Sequence, residues 1–585
     1  MFGTTCKTRE EKIVPRLIPD RFLNRLDDAD IVAFALPSSA LLAFVLAYAR
    51  SFPIWETWYF IPVWRDFNQH GAWLSDLFVS RWGHISAIPN FINLMLDHLS
   101  GYDQRVDIFL SAIFAIAALF LLLRYYVPRE AVLTRMFLGL TFLSLRVAEI
   151  WLDGWNTVMT LSLLLSIAAG ACVLTSTSWK GLLGCALLAF LGLNSGGYCL
   201  ALLPAVLIVL LIQTWQRRRA SVRHGIAQAL AWTGWVAALL WYWRLVADDR
   251  DAGPGAVVHK LLEPGSLILF GQIHALMLGD RWIGALELAG ALIVFLVSII
   301  RMNWRQFAAL PALPALAYMV TYSTVLTVLI ETARTVNGTE PLHLRYIPFL
   351  CLLPVALLAL SECLAKPDPD PTVGHVPAAW RSVWRPAVKL VLCAFIASAI
   401  WNDIHYYRYQ SRPNQPQLAA LDRAWQQSPW TLTPGMFLYR AAMDPELVAE
   451  GLKTMRELRI GPFGRVAPPA SHPLLAQENR EPDIHFGINQ TTRNPDGNWV
   501  VQGWAFDTGR NILMSEVYGQ LGSCTETALT GMPRPDVATF FKTPRAKASG
   551  WMLTFPAHCA GSPHPAIKIH FVEKNGHWNV GEKQS

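Results

Sequence analysis

SFPIWETWYFIPVWRDFNQHGAWLSDLFVSRWGHIS, residues 51–86, is the stretch that decides how the whole chain is interpreted. It follows directly on an apolar run, Ile31 to Ala49, that is long enough to cross a lipid bilayer. A plain connecting loop needs neither the many Trp and Tyr residues nor the ionisable side chains of this stretch. Those side chains are Glu56, Arg65, Asp66, Asp76, Arg81 and His84.

The composition indicates a polytopic membrane protein. Of the 585 residues, 53% are hydrophobic and 16% are charged, and there are 24 Trp. So few charges cannot cover a water-facing surface, whereas apolar runs of about 20 residues, the length that crosses a bilayer, recur along the chain. The formal net charge of +7 lies largely in short loops. This pattern indicates membrane topology rather than nucleic-acid binding.

The first thirty residues are polar and lack the apolar stretch and cleavage site of a removable signal peptide. We therefore predict that residues 1–30 form a cytoplasmic tail. Residues 265–279 are interpreted as an interfacial helix, because only then do all basic loop clusters face the cytoplasm. The predicted α-helical membrane domain then has eleven spans, at roughly 31–49, 106–125, 132–152, 156–175, 181–195, 198–213, 227–246, 283–300, 308–330, 345–364 and 386–401.

Eleven spans from a cytoplasmic start place the carboxyl-terminal part on the outer face. The transmembrane domain, 31–401, then carries a large first outer loop, 50–105. A helical linker follows at 402–480, where DPELVAEGLKTMRELRIG predicts a helix that begins at Pro445. Residues 481–585 alternate short β-type runs with Gly, Pro and Asn, which predicts a small all-β sandwich domain.

The cysteines agree with an outer location for the tail. Cys524 and Cys559 are the only two of the nine cysteines in the predicted outer domain. An oxidising compartment permits a disulfide between them, and two unpaired thiols are the alternative. The sequence has no paired CxxC motif and no His-rich spacing, so no metal site is indicated.

Glu56 is the first candidate for a catalytic residue. It lies between aromatic residues in WETWY, and desolvation there is expected to raise its pKa toward the range of a general base. The alternative is an aromatic belt at headgroup level with an ordinary loop carboxylate. The amphipathic stretches 59–67 and 73–80 are expected to lie flat on the membrane, with Asp66 and Asp76 toward water.

Two further segments place ionisable groups near the same outer face. In LRVAEIWLDGW, Arg146 and Glu149 are spaced to pair, which leaves Asp153 to face the cavity of Glu56.

In EPLHLRYIP, three candidate substrate-binding residues, His343, Arg345 and Tyr346, precede or open a late span. An arginine beside carboxylates in an outer cavity suits a lipid-linked phosphate, and snorkelling is the alternative. His84 is interpreted as a base, a phosphate partner or a simple interfacial residue.

These features resemble the multi-pass GT-C type glycosyltransferases, which use polyprenyl-phosphate sugars on the outer membrane face. The shared pattern is an acid soon after the first span, an acid in the second outer loop and an RY pair opening a late span. Here these are Glu56, Asp153 and Arg345–Tyr346. Many such enzymes have two adjacent acids in the first loop, whereas Thr57 follows Glu56 here. This departure argues against a metal-dependent variant, so a divalent metal is not indicated.

The tail resembles β-modules attached to bacterial glycan-assembly proteins. VVQGWAFD at 500–507, RPDVATFF at 534–541 and SGWMLTFP at 549–556 follow the order of motifs in that module. The similarity suits a glycan context.

Together the resemblances imply an inverting transferase of the bacterial inner membrane. Glu56 would act as general base on an acceptor hydroxyl, and Asp153 would orient the acceptor or assist the base. Arg345, with Arg81 or His84, would offset charge on the departing phosphate. The implied partners are a polyprenyl-phosphate sugar donor, a glycan or lipid-linked acceptor and membrane lipids, without a cofactor or nucleic acid.

Two alternatives remain open at the level of the sequence. An O-antigen or capsule-type polymerase or ligase would depend more on Arg334, His343 and Arg345 than on Glu56. A non-enzymatic transporter or scaffold for envelope glycans would place polar or broken helices near mid-membrane. LNSGGY at 193–198 is the only such break between spans, and it reads as a tight outer turn.

Overall fold

The computed structural model describes chiefly residues 31–70, 77–216, 222–246, 310–336, 344–364, 378–408, 415–432, 445–466 and 481–584, with short gaps inside some of these ranges. Within them the chain is mostly helical as far as residue 466 and mostly β-structure after residue 483. The helices are α1 Leu36–Tyr48, α2 Ile61–His70, α3 Ala87–Ser100, α4 Arg105–Tyr125, α5 Val132–Phe142, α6 Ala148–Leu152, α7 Thr157–Thr175, α8 Trp179–Leu193, α9 Leu202–Gln216, α10 Val222–Val246, α11 Leu313–Val336, α12 Ile347–Leu350, α13 Leu352–Leu364, α14 Ala378–Tyr406, α15 Gln415–Gln427, α16 Pro445–Leu458, α17 Pro462–Arg465 and α18 Pro535–Phe540.

Several helices are long and apolar enough to cross a bilayer, so the chain is a membrane-embedded protein. In the part of the chain that the structure describes there are seven such segments: Ile31–Tyr48, Arg105–Tyr125, Gly154–Thr175, Gly197–Gln216, Leu313–Thr332, Leu344–Glu362 and Pro386–Tyr406. The predicted span at 283–300 and the interfacial helix at 265–279 lie outside the described residues.

The predicted span at 132–152 is wrong as a single helix. Helix α5 ends at Phe142, and a short 3-10 turn and α6 complete the segment. Ser144 interrupts the helix because its hydroxyl accepts the backbone N–H of Arg146 at 3.4 Å. The same hydroxyl donates to Asp403 of α14 at 2.5 Å. Side chains of this kind offer the backbone an alternative to helical hydrogen bonds.

The membrane-type helices share one hydrophobic core, and the loop between the first two membrane-type segments belongs to a second one. That second core joins Trp58 and Trp64 of the loop to Trp425 of α15 and to Val448 of α16. A Cβ added at Gly451 of α16 would lie 2.8 Å from the Trp58 ring, so glycine is required for this close approach.

Helix α2 therefore does not depend on a membrane surface to cover its apolar face, because α16 packs against it. This protein contact buries apolar residues of the segment 59–67, and its placement along the bilayer surface stays a prediction. Asp66 is partly exposed and pairs with Arg65, with 3.1 Å between Oδ1 and Nε. Asp76 lies outside the described residues. Helix α16 itself begins at Pro445, as the linker sequence predicts.

The carboxyl-terminal region consists of two antiparallel sheets that contribute to one hydrophobic core. The strands are β3 Ile484–Arg493, β4 Trp499–Asp507, β5 Ile512–Leu513, β6 Glu516–Leu521, β7 Cys524–Thr527, β8 Leu529–Met532, β9 Gly550–Phe555, β10 Ala566–Val572 and β11 Trp578–Gln584, after the hairpin β1 Ser80–Arg81 and β2 His84–Ile85 of the first loop. Four strands in the order β11-β10-β6-β7 form one sheet, and β3-β4-β9-β8, with β5 beside β4, form the other. A disulfide joins Cys524 to Cys559, whose Cα atoms are 5.6 Å apart.

Candidate active site

Glu56 lies in a short 3-10 helix, Trp55–Phe60, that follows the end of α1. Extended backbone at Ile54 precedes this helix, and the Thr57 N–H donates to the Ile54 carbonyl at 3.1 Å. The 3-10 helix is also held in place by Trp58, whose ring is buried in the second core. Glu56 and Thr57 consequently present their side chains at the boundary between the loop and the membrane-type helices.

Asp153 lies just before α7, and its carboxylate is completely buried. It caps the 3-10 turn Gly154–Asn156, where the backbone N–H of Trp155 donates to Oδ1 at 3.2 Å. The Asn156 amide donates to Oδ2 at 3.3 Å, and the Thr57 hydroxyl donates to Oδ1 at 2.6 Å. Thr57 stands where a second acid could follow Glu56. Its hydroxyl is the hydrogen-bond donor that links the first loop to Asp153.

Arg345 opens the segment Leu344–Glu362 and reaches back to the first loop. Its Nη1 donates to Glu56 Oε1 at 2.6 Å and lies 3.4 Å from Glu149 Oε1. The side chains of Arg345, Glu56 and Glu149 are 13%, 19% and 24% exposed, so this ion-pair cluster is partly accessible. The Tyr346 ring is buried, and its centre lies 5.7 Å from the Arg345 guanidinium carbon.

The two acids of the site are close enough to share a hydrogen bond, and their pKa values move in opposite directions. Burial and the neighbouring charge of Glu56 hold the pKa of Asp153 well above its usual range. Burial also raises the pKa of Glu56, but Arg345 outweighs it and the net pKa is lowered. Two adjacent carboxyl groups cannot both ionise cheaply, so one is charged and its neighbour keeps a proton.

The expectation that desolvation raises the pKa of Glu56 is therefore wrong in its net direction. The sequence could not show that Arg345, 289 positions away, supplies a cation at hydrogen-bond distance. A proton on Asp153 also satisfies the geometry, because Oε2 of Glu56 has no other donor among the described residues. The arrangement is an ionised Glu56 held between a cation and a protonated acid.

The remaining predicted residues are less fully placed. Arg81 and His84 are backbone register partners in the two-strand hairpin β1–β2. His343 lies outside the described residues, and Arg334 lies in α11. The predicted site residues that the structure brings together are Glu56, Asp153, Arg345 and Tyr346, with Glu149 added by its contact to Arg345.

A second acidic pair next to this site was missed from the sequence. Asp97 of α3 and Asp107 of α4 are both 1% exposed and interact with each other. Asp97 accepts the Trp64 indole N–H at 2.8 Å and the Gln104 amide at 2.8 Å. Burial raises the pKa of Asp97 to about 7. The sequence feature that could have indicated this pair is Asp107, an acid in the first turn of an apolar span.

The pair Asp97–Asp107 adjoins the candidate site through Gly154. A Cβ at Gly154 would lie 2.8 Å from the Gln104 side-chain oxygen and 3.1 Å from Cβ of Asp107, so this position requires glycine. Asn93 of α3 donates to the Gly154 carbonyl at 3.4 Å and accepts from the Thr157 hydroxyl at 3.0 Å. The turn that carries Asp153 is thereby fixed by buried polar contacts on its far side.

The charges of Glu56 and Glu149 are balanced by Arg345, whose Nη1 lies 2.6 Å from Oε1 of Glu56 and 3.4 Å from Oε1 of Glu149. Elsewhere in the described residues, Cys524, His558 and Cys559 are grouped at metal-ligand spacing. Cys524 and Cys559 form a disulfide, so they offer no thiolates.

Comparison with known proteins adds no assignment to this geometry. No family model, no curated protein and no solved structure matches the chain. The functional interpretation therefore depends on the residues and contacts described above.

Proposed function

We propose that this protein is an inverting membrane glycosyltransferase that moves a sugar from a polyprenyl-phosphate donor to a glycan or lipid-linked acceptor. The single observation that carries the proposal is the partly accessible Glu56–Arg345 ion pair, which lies beside the buried Asp153. It combines a base for a hydroxyl with a cation for a phosphate at one place.

The reaction is a single displacement. Glu56 takes the proton of the acceptor hydroxyl, and the acceptor oxygen forms a bond to the anomeric carbon of the donor sugar. The bond from that carbon to the phosphate oxygen breaks, and polyprenyl phosphate leaves with the electron pair. Arg345 offsets the charge on the departing phosphate. Attack opposite to the leaving group inverts the anomeric centre.

The ion pair also suggests how donor binding activates the base. Arg345 lowers the pKa of Glu56 against the effect of burial. When a donor phosphate draws the guanidinium away, Arg345 no longer offsets the effect of burial on Glu56, and its pKa rises. Glu56 then becomes a stronger base only when the donor is present. Asp153 keeps its proton and holds Glu56 in position by the shared hydrogen bond.

The proposal includes the finer features of the fold and its place in the cell. Eleven spans, with a cytoplasmic amino terminus, would leave the linker and an all-β sandwich on the outer face of a bacterial plasma membrane. The disulfide Cys524–Cys559 supports an oxidising compartment for that domain. Membrane lipids would then surround the site that receives the prenyl chain.

The test is release of polyprenyl phosphate by the purified protein in lipid, supplied with a panel of polyprenyl-phosphate sugars and acceptors. Turnover by the wild-type protein, absent from Glu56→Gln, is the expected result. Transfer of whole oligosaccharides from a lipid-linked donor, with Glu56→Gln fully active, would point to a polymerase or ligase. Folded protein without turnover of any donor would refute the transferase assignment.

A further inference from the structure

A cavity of about 410 Å³ lies on the five-stranded sheet of the carboxyl-terminal region, far along the chain from Glu56. Its volume falls within the range of about 300–1,000 Å³ typical of small-molecule sites. Its wall combines apolar residues, among them Met532 and Trp551, with four polar side chains, namely Asn489, Gln490, Gln502 and Arg534.

The cavity exists because one face of strand β4 is covered in two places and left uncovered between them. Alternate residues of a strand share a face, so Val500, Gln502 and Phe506 point to the same side. Val500 is buried in the core shared with the linker helices, and Phe506 is buried against Val537 of α18. Gln502 lies between these two covers and lines the cavity.

Two β-bulges lie at either side of the cavity. In β3 the pairing with β4 shifts between Ile488 and Gln490, which makes Asn489 the extra residue. In β8 the pairing with β9 shifts between Thr530 and Met532. Bulges redirect side chains and are frequent beside functional sites. Here both bulges bring cavity-lining residues, Asn489 and Met532, to the same space.

The polar groups of the wall are held in fixed orientations. Arg534 forms a two-bond fork to Asp536, with Nε–Oδ1 at 2.9 Å and Nη2–Oδ2 at 2.5 Å. Its Nη1 donates to Asn489 Oδ1 at 2.8 Å. The Gln502 amide donates to the Met552 sulfur at 3.4 Å, a weak acceptor that a better ligand oxygen can replace.

This wall favours a neutral polyhydroxylated ligand. Asp536 balances the charge of Arg534, so the cavity does not present an unpaired cation. Amide groups donate and accept hydrogen bonds, as do hydroxyl groups, which makes the two complementary. Gly550 leaves bare backbone in the wall, since a Cβ there would lie 2.7 Å from the Met532 carbonyl oxygen.

The three motifs that set the tail apart in the sequence converge on this cavity. Gln502 belongs to VVQGWAFD, Arg534 to RPDVATFF and Gly550 to SGWMLTFP. The three motifs lie on strands and turns at different positions in the sheet. A shared cavity is one physical reason for the presence of all three.

We propose that this cavity is a carbohydrate-binding site that takes a short neutral saccharide. The hydrogen-bonding groups define the ligand as a polyol, and its assignment as a sugar rests on the proposed function. The site would retain a growing glycan beside the protein, while transfer takes place at Glu56.

The test uses the full chain in lipid nanodiscs and saturation-transfer difference NMR. The probes are the methyl glycosides of glucose, galactose, mannose, rhamnose and N-acetylglucosamine. At least one glycoside is expected to receive saturation from the wild-type protein. Asn489→Ala and Gln502→Ala are each expected to reduce that signal at least tenfold. Gln520→Ala removes an exposed amide from the other sheet and is the matched control, expected to keep the full signal.

Hydrogen exchange of the tail peptides checks that each variant is folded. If Gln502→Ala loses protection, the exposed Asn489→Ala still tests the site. No saturation transfer to any glycoside, or equal transfer to Asn489→Ala, would overturn the proposal. Glu56→Gln separates the two proposals, because it should lose transfer activity and still bind the glycoside. Binding by a wild-type protein without transferase activity would support this cavity and reject only the proposed reaction.

Discussion

Two clusters in this molecule each join a pair of acids to one arginine, and they differ in which partner is exposed. At the loop boundary, Arg345 pairs with Glu56, and Asp153 lies beside them. In the carboxyl-terminal region, Arg510 pairs with the coupled acids Glu573 at 2.8 Å and Asp507 at 3.5 Å, and also with Glu481 at 2.8 Å. In each cluster one acid has a lowered pKa and the other a raised pKa.

The two clusters differ in which charged side chain is exposed to solvent. Arg510 is 36% exposed and covers two carboxylates that are fully buried. Its backbone N–H also donates to Asp507 at 2.8 Å, which closes the turn after β4. In the Arg345 cluster the relative exposure is the opposite, because Glu56 is more exposed than the arginine. Arg510 covers a strand end, whereas in the Arg345 cluster the Glu56 carboxylate is the more exposed partner.

The largest expected difference comes from replacing one acid in each cluster. Glu56→Gln removes the base and keeps the shape of the side chain, so transfer should fall about 10²- to 10⁴-fold. Glu573→Gln removes an arginine-paired acid from the other cluster and should leave transfer unchanged. Polyprenyl phosphate release measures both. Equal losses in the two variants would show that the clusters do not differ in role.

The arginines give the next largest difference. Arg345→Gln removes the cation for the departing phosphate and should slow transfer about 10²- to 10³-fold, whereas Arg510→Gln should not. Loss of Arg345 also raises the pKa of Glu56, because the arginine no longer offsets the effect of burial. A base works only when deprotonated, so the acid limb of kcat/KM should move to higher pH in Arg345→Gln. An unmoved limb would contradict the pairing of Arg345 with Glu56.

Thr57 tests the hydrogen bond that positions Asp153. Thr57→Val keeps the volume of the side chain but removes the donor at 2.6 Å from Oδ1. We expect a destabilisation of about 1–3 kcal/mol and a lower kcat, because a buried acceptor loses a partner. Thr57→Ser restores the hydroxyl and should recover most of the kcat. Thermal unfolding in detergent and kcat for both variants check this prediction, which fails if valine and serine behave alike.

The smallest effect is a pH dependence confined to the carboxyl-terminal cluster. Burial and the neighbouring Asp507 raise the pKa of Glu573 to about 7, from an ordinary value of 4.5. Between these values the folded chain keeps a proton that the unfolded chain has lost. Stability of this region should therefore fall as the pH rises from about 4.5 to about 7. Hydrogen exchange of the tail should show this slope, and Glu573→Gln should remove it.

The sequence predicted much of the fold at the level of composition and local pattern. Apolar length located the membrane-type helices, and the start of α16 follows from Pro445. Prediction from the sequence failed where a tertiary contact overrode the local sequence pattern. The helix predicted over 132–152 is interrupted by Ser144, whose hydroxyl bonds Asp403 of a distant helix. Amphipathic α2 is covered by α16 of the linker, which no local periodicity could specify.

Sequence alone also determined which residue types could form a site. Acids and an arginine in apolar surroundings are costly unless paired, which selected Glu56, Asp153 and Arg345. Only the tertiary structure decided their pairing and protonation, because electrostatic energy depends on distance and burial. It placed Arg345 at 2.6 Å from Glu56 and buried Asp153 behind them. Residue identity supplied the charges, and three-dimensional proximity determined which acid keeps its proton.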